Sequence, residues 1–254
     1  MTEAVKELET KEEAALVIAE PVRKRVLIVV PNTGWLQRDA VFALLNMLRD
    51  PRYLTEVMLP VARPSENNRS RAMLDAFKGN YDYMLMMDSD NPPHNCNPLD
   101  LVELGLDIVG CPTPVWHDGP AGHARGDMPF YYNAMEFVGL KDGRLHWSPL
   151  QYDSKKDEPL QEVDAVGAGC ILLSKKVIEV MRHLRPWNRE TDPAGVVTAG
   201  SDMMFCRKAK EAGFKVWAHY GYICNHFHEL GFIEVIEAMR RQRNAGLEKG
   251  GKNG

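Results

Sequence analysis

Hydrophobic and polar positions along this chain alternate between two periods. Val26 to Val30 is an unbroken aliphatic run closed by Pro31, the pattern of a strand buried on both faces. Asp39 to Arg49 carries apolar residues at helical spacing, Leu54 to Leu59 reads as a short strand, and Glu66 to Phe77 as a second helix. Tyr81 to Met87 is a third apolar run, stopped abruptly by Asp88-Ser89-Asp90-Asn91-Pro92-Pro93, and Asp107 to Cys111 is a fourth strand. Strands alternating with helices predict an α/β fold with a central, mostly parallel sheet covered by helices on both faces. Ligands of such sheets gather at the carboxyl ends of the strands, where Pro31-Asn32-Thr33-Gly34 and the acidic triplet both fall.

The second half changes character. Pro129 to Leu150 is rich in aromatic, glycine and turn residues and predicts a hairpin or a smaller, irregular sheet. Val163 to Leu173 contains a strand, after which Ser174 caps a helix running through Met181. Ser201 to Ala212 is an amphipathic helix closed by Gly213. Lys215 to His219 and Tyr222 to His226 read as short strands, and Leu230 to Arg243 as a final helix with a basic end. Residues 1–24 read as an extension and 244–254 as a disordered tail, which predicts a single domain over 25–243.

Composition narrows the class. The chain has 254 residues and a formal net charge of −4, which argues against binding nucleic acid through an overall field. Its five cysteines, Cys96, Cys111, Cys170, Cys206 and Cys224, are odd in number and include no CxxC pair. They read as reduced thiols of a cytoplasmic protein rather than a disulfide framework or a zinc knuckle. No apolar run reaches the roughly 18 residues needed to span a bilayer, and the first residues are acidic, unlike a signal peptide. No membrane partner is expected.

The acidic triplet carries the sharpest chemistry. Two carboxylates one residue apart at the tip of a strand can face a hard cation such as Mg²⁺ or Mn²⁺, which keeps open positions for diphosphate oxygens. A bare Asp-x-Asp is equally an ordinary turn after a strand. The segment here resembles the GT-A glycosyltransferases, especially family-2-like enzymes of bacteria and their viruses. Four stretches, in that family's order, carry the likeness: VLIVVPNTG from Val26, NNRSRAMLDAF with YDYMLMMDSDNPP, VDAVGAGCILLSKKVIE from Val163, and GSDMMFCRKAKEAGFKVW from Gly200.

The resemblance implies a GT-A, Rossmann-like nucleotide-sugar-binding domain with a smaller acceptor-side sheet. It implies a metal-dependent, hexosyltransferase-type enzyme that moves a sugar from a nucleoside-diphosphate sugar to an acceptor hydroxyl with inversion. Mn²⁺ or Mg²⁺ would be held by Asp88, Asp90 and His226, with Asp90 the direct ligand and Asp88 closer to the nucleoside. Pro31, Asn32, Thr33, Asn68, Arg71, Asp88 and Ser89 would contact the nucleotide-sugar. Of the polar group Asn67, Asn68, Arg69 and Arg71 at the start of the second helix, the likeness favours Arg71, then Asn68. Gly167, Gly169 and Trp116 would face the acceptor or sugar, although both glycines equally suit a tight strand crossing and the tryptophan a packing anchor. His117 and Trp147 are further aromatic candidates.

Asp202 matches the family's general base, but Ser201 stands where the family has Glu, which leaves retention open; Ser201 and Asp202 also suit a helix cap. His228, two residues after His226, shares its face on a strand. The acceptor candidates are a DNA base, a protein glycan or a small molecule, and a viral origin would place the protein in the host cytoplasm. Two other classes compete. Nucleotidyl transfer usually has a Gly-rich loop after the first strand, which Pro31-Asn32-Thr33-Gly34-Trp35 lacks. A non-catalytic nucleotide-binding scaffold fits the missing Glu.

Overall fold

The computed structural model describes residues 22–61, 65–116, 130–141, 144–227 and 240. The extension up to residue 21, His117, His228, most of the expected final helix and the tail lie outside the described residues. The chain forms β1 (Lys24–Val29), α1 (Arg38–Leu48), β2 (Tyr53–Met58), α2 (Ser65–Lys78) and β3 (Tyr83–Met87). A 3₁₀ helix (Pro98–Leu104), β4 (Ile108–Gly110), β5 (Pro114–Trp116), β6 (Phe130–Tyr132), β7 (Ala134–Lys141) and β8 (Arg144–Pro149) follow. The rest is β9 (Leu160–Val163), β10 (Ala165–Val166), β11 (Cys170–Ser174), α3 (Lys175–Met181), β12 (Glu190–Thr191), β13 (Val197–Ala199), α4 (Ser201–Glu211) and β14 (Val216–His219).

The expected α/β architecture is the observed one, around a seven-stranded sheet ordered β2-β1-β3-β11-β4-β14-β9. The apolar runs at Val26 and Met84 are continuous because alternate side chains enter two different cores. Leu27, Val29, Met84 and Met86 pack with Met73 of α2, Ile178 of α3 and Phe205 of α4. Val26, Ile28, Leu85 and Met87 pack on the opposite face with Leu44 of α1 and Leu99 of the 3₁₀ helix. Burying each such side chain contributes about 1.5–3 kcal/mol.

Two strands qualify the expectation of parallel pairing. β1 is parallel to β2 and β3, and β14 is parallel to β4. β11 runs antiparallel between β3 and β4, and β9 antiparallel on β14. The cause for β11 is its point of entry: the chain leaves β10 at the carboxyl ends of β3 and β4, so it can only run back along them. The aromatic-rich segment supplies the smaller sheet, β10-β7-β8, as a hairpin with β10 on its edge.

Two helix ends follow the local signals read in the sequence. Ser174 caps α3 by accepting from Val177 N at 3.4 Å. Gly213, at φ 88°, takes the left-handed turn that closes α4. The expected strand Tyr222–His226 makes no ladder among the described residues. It lies extended against the acidic loop through an isolated bridge between Cys224 and Pro93, because Pro92 and Pro93 offer no backbone N–H for continuous pairing.

Candidate active site

β3 ends at the carboxyl edge of the sheet and presents Asp88 there. Asp88 N donates to Gly169 O at 2.7 Å and Asn91 N donates to Asp88 O at 3.0 Å, so the acidic turn is held to β11 and closed on itself. Arg69 Nη2, from α2, donates to both carboxylate oxygens of Asp88, at 3.1 and 2.8 Å. Its Nη1 donates to Ser201 Oγ at 3.3 Å, and the guanidinium lies 5.5 Å from the centroid of the Trp187 ring. One buried arginine therefore joins the acidic triplet to the first turn of α4. Its Nε has no partner among the described residues.

Burial pushes the Asp88 carboxyl up from 3.8 to about 6; Arg69 pulls it down, while Asp90 and Asp202 push it further up. Arg69 pairs with Asp88, and the nearby Asp90 and Asp202 add negative charge that a divalent cation would neutralise.

Asp202 sits in the first turn of α4, whose N-cap is Gly200, without a side-chain capping bond. Neither Ser201 nor Asp202 is therefore the cap. Asp202 Oδ1 accepts from Met203 N at 3.0 Å, and Ser201 is buried beneath Arg69. His226 arrives on the extended C-terminal segment, fixed by Phe227 N donating to Asp90 O and Asn225 N to Pro92 O, both at 2.9 Å. Its Nδ1 lies 3.1 Å from Pro114 O. A carbonyl only accepts, so Nδ1 donates there, and in a neutral ring that would leave the lone pair on Nε2, the tautomer that can bind a metal.

These groups meet in one cavity of about 650 Å³, a size suited to a small-molecule ligand. Arg69, Asp88, Gly169, Asp202 and His226 form its polar side, and Met135, Leu145 and Trp147 of the smaller sheet its apolar side. Among the described residues, no three of Asp88, Asp90, Asp202 and His226 have donor atoms within 4.8 Å of one another. Asp88, Asp202 and His226 line the cavity without closing into a shell, and oxygen and imidazole donors suit Mn²⁺ or Mg²⁺.

The remaining candidates divide. Pro31, Asn32 and Thr33 leave β1 beside β3; Asn32 N donates to Pro60 O at 3.1 Å, and Asn32 Oδ1 accepts from Gly34 N at 2.9 Å. Asn68 is buried, with Nδ2 3.5 Å from the same Pro60 carbonyl, and so braces that loop. Ser89 occupies the partly exposed turn between the two aspartates, and Trp116 ends β5, whose Val115 lines the cavity. Arg71 points away: its side chain is exposed and pairs with Asp75 at 3.1 Å. Arg69 lines the cavity and Arg71 does not, because Arg69, Ala72, Met73 and Ala76 form the buried face of α2.

Gly169 lines the cavity, and both Gly167 and Gly169 leave room for a neighbouring side chain. A Cβ on Gly167 would run into the Asn133 amide, and one on Gly169 into the Asn91 amide. Both asparagines line the cavity, and Asn133 Oδ1 accepts from Thr113 N at 2.9 Å. The glycines are there to seat two polar side chains, which the sequence did not single out. Gly169→Ala is expected to cost about 1–3 kcal/mol by overpacking, read by denaturant unfolding, with Asn91→Ala in the same chain recovering part of it.

No family model matches this sequence, and no curated protein matches it. Solved structures do match. A197 from STIV aligns at 15% identity and TM-score 0.49, over 81% of this chain and 86% of that one. HddC from Yersinia pseudotuberculosis aligns at 13% identity and TM-score 0.26, over 61% of this chain and 58% of that one. Among the described residues, no helix is long and apolar enough to cross a membrane.

Proposed function

We propose that this chain is a metal-dependent, inverting glycosyltransferase using a nucleoside-diphosphate sugar. The observation that carries the reading is the shared cavity, where Asp88, Asp202 and His226, far apart in sequence, face one another across from an apolar wall. The excess of carboxylate over arginine supports a cation there. Asp88, Asp90 and His226 would hold Mn²⁺ or Mg²⁺, which when bound neutralises charge on the departing diphosphate. Arg69 keeps Asp88 ionised and oriented. Asp202 takes the proton of the acceptor hydroxyl as its oxygen bonds to the anomeric carbon, and the sugar–phosphate bond breaks with its electron pair leaving on the diphosphate. Met135, Leu145 and Trp147 fit an acceptor that presents an apolar or planar face.

The test is a panel of nucleoside-diphosphate sugars with Mn²⁺ or Mg²⁺, scored by released nucleoside diphosphate. One donor is expected to be turned over only with metal, and Asp90→Ala to bring release to background. Pyrophosphate release from a nucleoside triphosphate and a sugar phosphate, with no donor hydrolysis, would instead assign nucleotidyl transfer. Donor binding without turnover would leave a nucleotide-binding scaffold.

A further inference from the structure

Three cysteines that look unrelated in sequence meet in the core behind the acidic loop. Cys111 directly follows β4 and Cys170 opens β11; the two are antiparallel neighbours, with Cys111 N donating to Cys170 O at 2.8 Å. Cys224 joins from the C-terminal segment, its N donating to Pro112 O at 3.1 Å. The three sulfurs lie within 4.8 Å of one another, and each residue is fully buried. Among the described residues this is the only group of three or more His, Cys, Asp or Glu donors so close together.

We infer that Cys111, Cys170 and Cys224 form a binding site for a soft, thiophilic cation of the Zn²⁺ or Cu⁺ class, separate from the hard-cation site at the acidic triplet. Thiolate sulfur selects these metals over Mg²⁺ and Mn²⁺. A metal–sulfur distance of about 2.3 Å requires sulfurs about 4 Å apart, so the cluster needs to draw in by less than about 1 Å. Binding replaces thiol protons, which pass to solvent, with metal–sulfur bonds. Packing as small apolar side chains is the other use of buried thiols, and it needs no such convergence.

The position gives the site a structural consequence. Cys170 pairs in register with Met87, the residue before Asp88, and Cys224 lies two residues before His226. A cation on these sulfurs would pin the segment carrying His226 to the strand ends carrying the acidic triplet.

The experiment uses the full chain, reduced, chelator-stripped and kept anaerobic, titrated in separate arms with Cd²⁺ as a zinc surrogate and with Cu⁺. The thiolate-to-metal charge-transfer absorbance reports sulfur ligands only, so a cation on the carboxylates is silent; metal retained after desalting gives the stoichiometry. In at least one arm the absorbance should saturate at one equivalent per chain with a rise in melting temperature. Cys206→Ala and Asp90→Ala should keep the band, and Cys224→Ala should lose it. A folded wild-type chain with no charge-transfer band in either arm overturns the inference whatever the variants do, as does a Cys224→Ala chain that keeps the full band.

Discussion

Asp202→Asn is expected to lower kcat by about 10²–10⁴-fold while leaving the donor KM nearly unchanged, the loss associated with removing a positioned general base. The carboxylate lines the cavity from the first turn of α4, and its Oδ1 accepts only from the adjacent Met203 N among the bonds described, which an asparagine oxygen can repeat. The fold should lose little, about 0.3–1 kcal/mol for one negative charge removed from a helix N-terminus. Steady-state kinetics with the donor that the panel identifies, alongside a thermal melt, separate the two effects. A variant that melts normally and keeps wild-type kcat would remove Asp202 from the mechanism. A variant that loses kcat and stability together would make it a structural residue.

Arg69→Met should damage both stability and activity, because the arginine serves two partners at once. Its side chain is 10% exposed and that of Asp88 25%, so the substitution strands a carboxylate beside Asp90 and Asp202. The expected cost is about 3 kcal/mol, the low end for breaking a buried ion pair, since Asp88 still faces the cavity. The first turn of α4 also loses its tie through Ser201, so turnover should fall by more than the stability loss accounts for. Denaturant unfolding of Arg69→Met, Asp88→Asn and the double variant measures the coupling: the double variant should be more stable than the sum of the single losses implies. Arg71→Met, whose side chain pairs only with Asp75 on its own helix among the bonds described, should change either quantity little. Equal effects from the two arginines would show that the buried face of α2 does not organise the site.

Much of this arrangement was legible in the chain because it depends on neighbours a few residues apart. Continuous apolar runs and helical spacing placed β1, α1, β2, α2 and β3 within a residue or two of their observed limits, and Ser174 and Gly213 marked helix ends by local hydrogen bonding and backbone freedom. The acidic triplet was legible for the same reason: an apolar strand that stops on Asp-Ser-Asp must present it at the sheet edge. The choice of Arg69 over Arg71 was also within reach, since only position 69 shares a helical face with Ala72, Met73 and Ala76.

The rest depended on pairings between distant segments, which no local pattern encodes. The sequence determined the strands and helices of the first half through β3 and the place of Asp88 at a strand end. Only the tertiary structure decided that β11 runs backward between β3 and β4, because its direction follows from where the chain leaves the smaller sheet. That reversal brings Gly169 against Asp88, seats Asn91 where a side chain would otherwise stand, and sets Cys170 beside Cys111. Hydrophobic pattern fixes which side chains are buried, but contact between residues more than fifty positions apart is set by how the layers close over one another.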